Sequence, residues 1–289
     1  MADLNERIEQ RLAIERELQS ARPDPSAQRP AEYVRRYHDL REGILRDFRD
    51  AKKEPDKIAL MLELIRLLES ELVSLHNFVP DPTQDNRALA QQVERFLEEL
   101  GRSGSPVLSS IERSYFRGVA ALVAGDTATA RHCFEQVCGS EESDETSDVK
   151  FKSYLMLGHL SSEEADYGRA RELHDAAAGQ TRHPNVAAQA VALKALNTYA
   201  LGRRDEALEL FDTALGLFDQ DQAFYNPYFH RNALLFQGLI HFERHDYEQA
   251  RESYLAVLER VGPESFDAFE ALSHLGRIDL AVGRYPDAV

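Results

Sequence analysis

The sequence predicts an all-α chain, an α-solenoid of antiparallel helix pairs with a helical extension at its N-terminus. Three observations carry this. Apolar residues recur at three- and four-residue spacing in segment after segment, and no run shows the sustained period-two alternation of a half-buried strand. Breaks rich in Gly, Pro and Asp divide these segments into single-helix lengths. From residue 108 onward one arrangement of residues returns five times with a constant internal offset.

The bulk composition narrows the function classes. The 289 residues are 43% hydrophobic and 29% charged, enough apolar material for a continuous core under well-solvated helix faces. A formal net charge of −16 argues against nucleic acid or an anionic membrane surface as the main partner, since both require a concentrated basic face. Cys133 and Cys138 are the only cysteines, and five residues apart on one helix they make poor disulfide partners. With no apolar leader in the first twenty residues and no run approaching the roughly 18 apolar residues of a membrane span, the expectation is a reduced, cytoplasmic protein.

Residues 1–20 alternate charge with Leu4, Ile8, Leu12, Ile14 and Leu18, which suits an amphipathic helix. A Pro-rich linker follows at 21–30, where Pro23, Pro25 and Pro30 exclude a helix interior. Residues 31–106 form a helical N-terminal region. Its first helix, 31–54, aligns Tyr33, Tyr37, Leu40, Ile44 and Phe48. Pro55 fits the first turn of the next, 56–78, whose leucines and isoleucines cover more than one stripe and so call for neighbours on two sides. VPDPTQDN (79–86) ends it, and 87–100 places Ala90, Val93, Phe96, Leu97 and Leu100 inward. Residues 56–100 read as a degenerate repeat, on helix lengths more than on motif.

Residues 107–289 hold the regular units, the last incomplete. Small residues stand on the first helix of each at Gly118, Gly158, Ala195, Gly238 and Gly276. Alanines follow twelve positions later at Ala130, Ala170, Ala207, Ala250 and Ala288. Four past the alanine come Phe134, His174, Phe211 and Tyr254, and three further Val137, Ala177, Ala214 and Val257. Five before it come the turn residues Gly125, Ala165, Gly202, His245 and Gly283, where a left-handed residue ends the first helix. In the third unit Asp205 is expected to supply the acceptor for the free N–H groups that open the second helix. The acidic GSEESDETSD (139–148) reads as a solvated loop between repeats.

This pattern resembles the tetratricopeptide repeat (TPR) family, in which small first-helix residues let the helices of a pair approach and an aromatic on the second fills the wedge to the next repeat. The spacings of 40, 37, 43 and 38 residues exceed the usual ~34, which places the resemblance with the extended variants, and the family's first-helix tryptophan is absent. The resemblance implies a right-handed superhelix that lines a concave groove with its first helices. Groove positions carried over from the family are Tyr115, Val119 and Leu122; Lys152, Leu155 and His159; Ala192, Leu196 and Tyr199; Asn232, Leu235, Leu239 and Phe242; and Ser273, Arg277 and Leu280. The Lys and Asn set with which the chaperone-binding subfamily clamps a terminal carboxylate is missing. The groove is largely apolar and aromatic instead, which suits an amphipathic helix or apolar peptide.

Catalytic and metal chemistry find no support. His241 and His245 have a metal-compatible spacing, but Phe242 stands where a zinc protease needs its Glu, and His245 falls at a turn position. No phosphate loop, nucleophile elbow or kinase-like set occurs. Neither an enzyme nor a cofactor is expected. The reading is a protein-interaction scaffold or adaptor that takes a partner peptide or helix in the groove, with self-association through residues 1–20 or the uncapped C-terminal end as a further mode. Its alternative is a regulatory or assembly module of a longer protein whose effector domain lies beyond residue 289.

Overall fold

The computed structural model describes residues 2–20, 29–74, 86–102, 107–141, 147–220, 226–261 and 266–284, which hold thirteen helices and no strand. They are α1 (Ala2–Ser20), α2 (Arg29–Asp50), α3 (Glu54–Ser74), α4 (Asn86–Arg102), α5 (Ser110–Val123), α6 (Thr127–Cys138), α7 (Ser147–Glu163), α8 (Tyr167–Ala178), α9 (Pro184–Ala200), α10 (Arg204–Phe218), α11 (Pro227–Glu243), α12 (Tyr247–Leu258) and α13 (Phe266–Ala281). Two compact units result, one of Met1–Leu18 with Pro23–Val149 and one of Gln19–Arg22 with Lys150–Val289.

Four boundaries differ from the sequence expectation. Pro30 lies inside the first turn of α2, where its missing N–H costs nothing. That helix ends at Asp50 rather than 54, and α3 starts at Glu54 with Pro55 as its second residue. Ser147 and Asp148 open α7 instead of closing the acidic loop, and Asp148 faces the helix's positive end. Asp205 sits inside the first turn of α10; the N-cap is Arg203, which makes no side-chain capping bond. Residues 21–28 of the linker, the 79–86 break except Asn86, and Ala288 lie outside the described residues.

In the first unit α2 and α3 pair, α3 also meets α5, and α4 lies against α5. This gives the apolar α3 the two neighbours its double stripe requires: Leu60, Met61, Leu64, Ile65, Leu67 and Leu68 are all buried. The first helix is seated on this pair by charge. Arg7 Nε donates to Asp47 at 2.9 Å, and Arg11 Nε donates at 2.6 Å to Glu63, whose side chain is 1% exposed. Ile14 adds the buried apolar contact.

The hairpins follow the repeat. Every expected turn residue has positive φ: Gly125 (77°), Ala165 (59°), Gly202 (77°), His245 (65°) and Gly283 (78°). Each turn closes with the next residue's N–H donating to a carbonyl five residues back, as in Asp126 to Ala121 and Asp246 to His241. Asp126 and Asp166 then cap α6 and α8 by accepting from the N–H of Thr129 and Arg169. A serine opens the first complete hairpin: Ser109 Oγ accepts from Glu112 N while Glu112 accepts from Ser109 N, a reciprocal capping box.

Close approach follows from the small residues. A Cβ on Gly118 would meet Phe134 at 2.7 Å and one on Gly238 would meet Tyr254 at 2.9 Å, while Gly158 lies directly beneath His174. Ala195 and Phe211 share one core cluster with Ala207. Phe134, His174, Phe211 and Tyr254 are all buried. In the second unit the second-helix aromatics also reach forward. Phe211 stacks on Phe236 at 6.0 Å, and Tyr254 stacks on His274 at 4.8 Å, so each ring joins its own pair to the next first helix.

Candidate functional site

The site expected along the first helices divides into residues the fold consumes and residues it leaves accessible. In the first unit Tyr115 and Val119 are buried, with the Tyr115 ring 5.8 Å from Phe134, and Leu122 is half-buried. Burial, with Glu69 nearby, pushes the Tyr115 hydroxyl well above its ordinary range, as befits a packed ring. In the second unit Asn232 and Leu235 are buried, Leu235 within the cluster around Tyr254 and Ala250. Leu155, His159, Leu196, Tyr199, Leu239 and Phe242 are half-buried, and Arg277 is exposed.

The accessible members form a ladder across successive first helices. Tyr199 on α9 donates its hydroxyl to Glu243 Oε1 on α11 at 2.7 Å, and Arg204 at the start of α10 donates to Glu243 Oε2 at 2.5 Å. The Arg204 guanidinium also lies over the Tyr199 ring, 5.4 Å from its centre, and that ring meets Phe236 edge-on at 5.8 Å. One step along, Phe242 on α11 faces Arg277 on α13 at 4.7 Å and touches Tyr247 and His274. Partial burial works against ionising Glu243, but the bonds from Tyr199 and Arg204 outweigh it and hold the carboxyl below its usual range. Glu243 therefore stays charged and fixes the two groups beside it.

The other end of the ladder is neutral. Burial lowers His159 to about 4, and its Nε2 lies 3.2 Å from Glu163. Beneath it runs a buried polar chain: Ser162 Oγ donates to Asn197 Oδ1 at 2.7 Å, and Asn197 Nδ2 lies 3.1 Å from His174 Nδ1 while also donating to the Leu193 carbonyl. His174, like His159, is lowered by burial to about 4, so both rings are uncharged at neutral pH.

Sequence reasoning missed Glu243, Arg204 and His274. A signal existed for the first, since Glu163 and Glu243 both stand five residues past the small residue of their repeat. Arg204 and His274 had none, because their partners come from neighbouring helices. His241 and His245 do not converge: His241 Nδ1 lies 3.8 Å from Asp246, and His245 Nδ1 is 2.9 Å from the Tyr247 hydroxyl. Among the described residues no group of three or more His, Cys, Asp or Glu is arranged to hold a metal, and no helix is long and apolar enough to cross a membrane. Burial raises the Cys133 thiol, as a packed side chain requires.

No family model and no curated protein matches the chain. Solved structures do. The apo form of RapI aligns over 99% of this chain and 72% of its own, with TM-score 0.60 at 13% identity. BtubC from P. vanneervenii aligns over 76% of this chain and 86% of its own, with TM-score 0.50 at 17% identity. The apo form of the quorum sensor NprR from B. thuringiensis aligns over 88% of this chain and 80% of its own, with TM-score 0.50 at 14% identity. The fold is all-α and TPR-like.

Proposed function

We propose that the chain is a protein-interaction scaffold that binds a partner peptide or amphipathic helix along the first-helix face of its second unit, through Leu155, His159, Leu196, Tyr199, Leu239, Phe242 and Arg277. The observation that carries this reading is the half-exposed row itself. Aromatic and aliphatic side chains that a closed core would have swallowed remain accessible on α7, α9 and α11, and the Glu243 bridge holds Tyr199 in one orientation. Ordered aromatic surface costs little entropy on binding and gives large contact area. NprR, which shares the fold, is a quorum sensor, so the same architecture serves recognition there.

Asn232 and Leu235 support this face from beneath with their side chains buried, while Tyr115 and Val119 are buried within the first unit. The decisive experiment compares affinity capture by the wild-type chain and by Leu239→Asp with Tyr199→Ala. The expected result is loss of the captured species at least about tenfold, with helicity and melting unchanged. Capture that is unaffected by the double variant overturns the reading.

A further inference from the structure

The small residue of each repeat sets a register in which the complete hairpins can be compared. Two positions past it stand Ala120, Leu160, Asn197 and Ile240; three past it, Ala121, Ser161, Thr198 and His241. Six past it stand Ala124, Glu164, Leu201 and Arg244. The first hairpin thus carries a bare methyl group at three places where every later one carries something larger. In the fourth hairpin Ile240 fills its place, buried in the cluster around Phe211. In the first the missing bulk leaves a cleft of about 540 Å³ between α4, α5 and the turn into α6. Ala90 of α4 faces Ala120, Ala121 and Ala124 across it.

The residue just before the small one also departs from the later pattern. Lys194 reaches back to Asp175 on α8, and Gln237 donates to Asp212 on α10 at 2.7 Å, each bridging two helices. Arg117 has only Glu94 of α4, half-exposed and 3.7 Å away, too far for a hydrogen bond. Arg117 Nε is sheltered from water and makes no hydrogen bond at all. A sheltered donor left without an acceptor costs stability that a guest can restore.

The remaining rim says what that guest is. Asp126 accepts from Thr129 N at 3.0 Å and from Thr129 Oγ1 at 2.7 Å, so its carboxylate and that hydroxyl are engaged. Arg87, exposed in the first turn of α4, lines the same cleft as Arg117. Two guanidinium groups beside a methyl-lined wall match an anion with an apolar body, and guanidinium geometry suits a carboxylate. We propose that this cleft binds a small amphiphilic carboxylic acid, its carboxylate on Arg117 in place of Glu94 and its hydrocarbon chain along the alanines. The volume lies in the ordinary range of small-molecule sites.

The probe is hexanoate, titrated into the full chain and followed by ligand-observed NMR, with 1-hexanol as the neutral control. Saturable binding is expected below about 10 mM, at least about fivefold tighter than the alcohol. Arg117→Gln should weaken it at least about fivefold. Glu94→Gln removes the competing carboxylate and should tighten it about threefold, a gain that a purely structural ion pair would not give. Ala124→Leu, which installs the residue of the third hairpin, should fill the cleft and abolish binding with helicity retained. Ala121→Thr, after Thr198, serves if that variant does not fold. No saturation by about 10 mM overturns the inference, as does equal affinity for the alcohol. So does binding that survives filling of the cleft, or that Glu94→Gln leaves unchanged or weakens.

Discussion

Tyr254 lies over Gly238 so closely that a Cβ on the glycine would sit 2.9 Å from the ring. The pair shows what a small residue does in this fold: it sets the separation of two helices. Gly118 stands in the same relation to Phe134, at 2.7 Å. Alanine at either site gains about 1 kcal/mol of helix propensity but forces the ring aside at a cost of about 1–3 kcal/mol. Gly118→Ala and Gly238→Ala should therefore lose about 1 kcal/mol in denaturant titration. Gly216, with open space around its Cα in α10, should gain about that much when changed to alanine.

Ala165 and His245 are the two turn residues that depart from glycine while keeping positive φ, at 59° and 65°. The left-handed conformation costs a residue with a Cβ about 1–2 kcal/mol, and glycine loses about 0.4–1 kcal/mol through greater freedom in the unfolded chain. Ala165→Gly should stabilise by about 0.5–1 kcal/mol, read as a higher midpoint at unchanged slope. His245→Gly should gain less, because it sacrifices the bond to Tyr247.

His174 is lowered by burial to about 4, against an ordinary value of 6.5. As pH falls below 6.5 the unfolded chain takes up a proton that the folded chain refuses until about 4. Stability is therefore present above 6.5 and drains away between those values. Phenylalanine fills the equivalent place over Gly118, so His174→Phe should fold. Between pH 7 and pH 5 the variant should lose roughly 2 kcal/mol less than wild type. Parallel pH curves for the two proteins would show that the ring is not neutral when folded.

Arg231 Nε donates to Asp267 Oδ2 at 2.7 Å with both side chains 1% exposed, tying α11 to α13. Removing one partner strands a buried charge. Arg231→Met or Asp267→Leu alone should cost about 3–5 kcal/mol, whereas the double variant should recover most of that loss. A thermal-melt double-mutant cycle reads the coupling.

The repeat units were legible because close packing leaves a mark at fixed offsets: the turn at Gly202, the cleft at Gly118 and the ring at Phe211 all stand where the pattern put them. The face assignment was less so. Tyr115 and Leu235 are apolar at helical spacing, as any accessible recognition residue here would be, and periodicity does not distinguish a stripe that meets a neighbouring helix from one that meets solvent. Arg203 at the N-cap of α10 hid a start that an aspartate marks in three other units. The bridges from Tyr199 and Arg204 to Glu243 span 44 and 39 residues, beyond any local pattern.

In the second unit the helices meet in succession, α8 with α9, α9 with α10, α10 with α11, α11 with α12 and α12 with α13, and the longer contacts skip a single helix. Almost no distant loop has to close before native contacts begin to form. The unit can therefore fold by zippering outward from whichever hairpin forms first, on the fast side of the range for its size. Hydrogen exchange should accordingly be slowest at the α9–α10 hairpin, which has neighbours on both sides, and quicken stepwise toward α13.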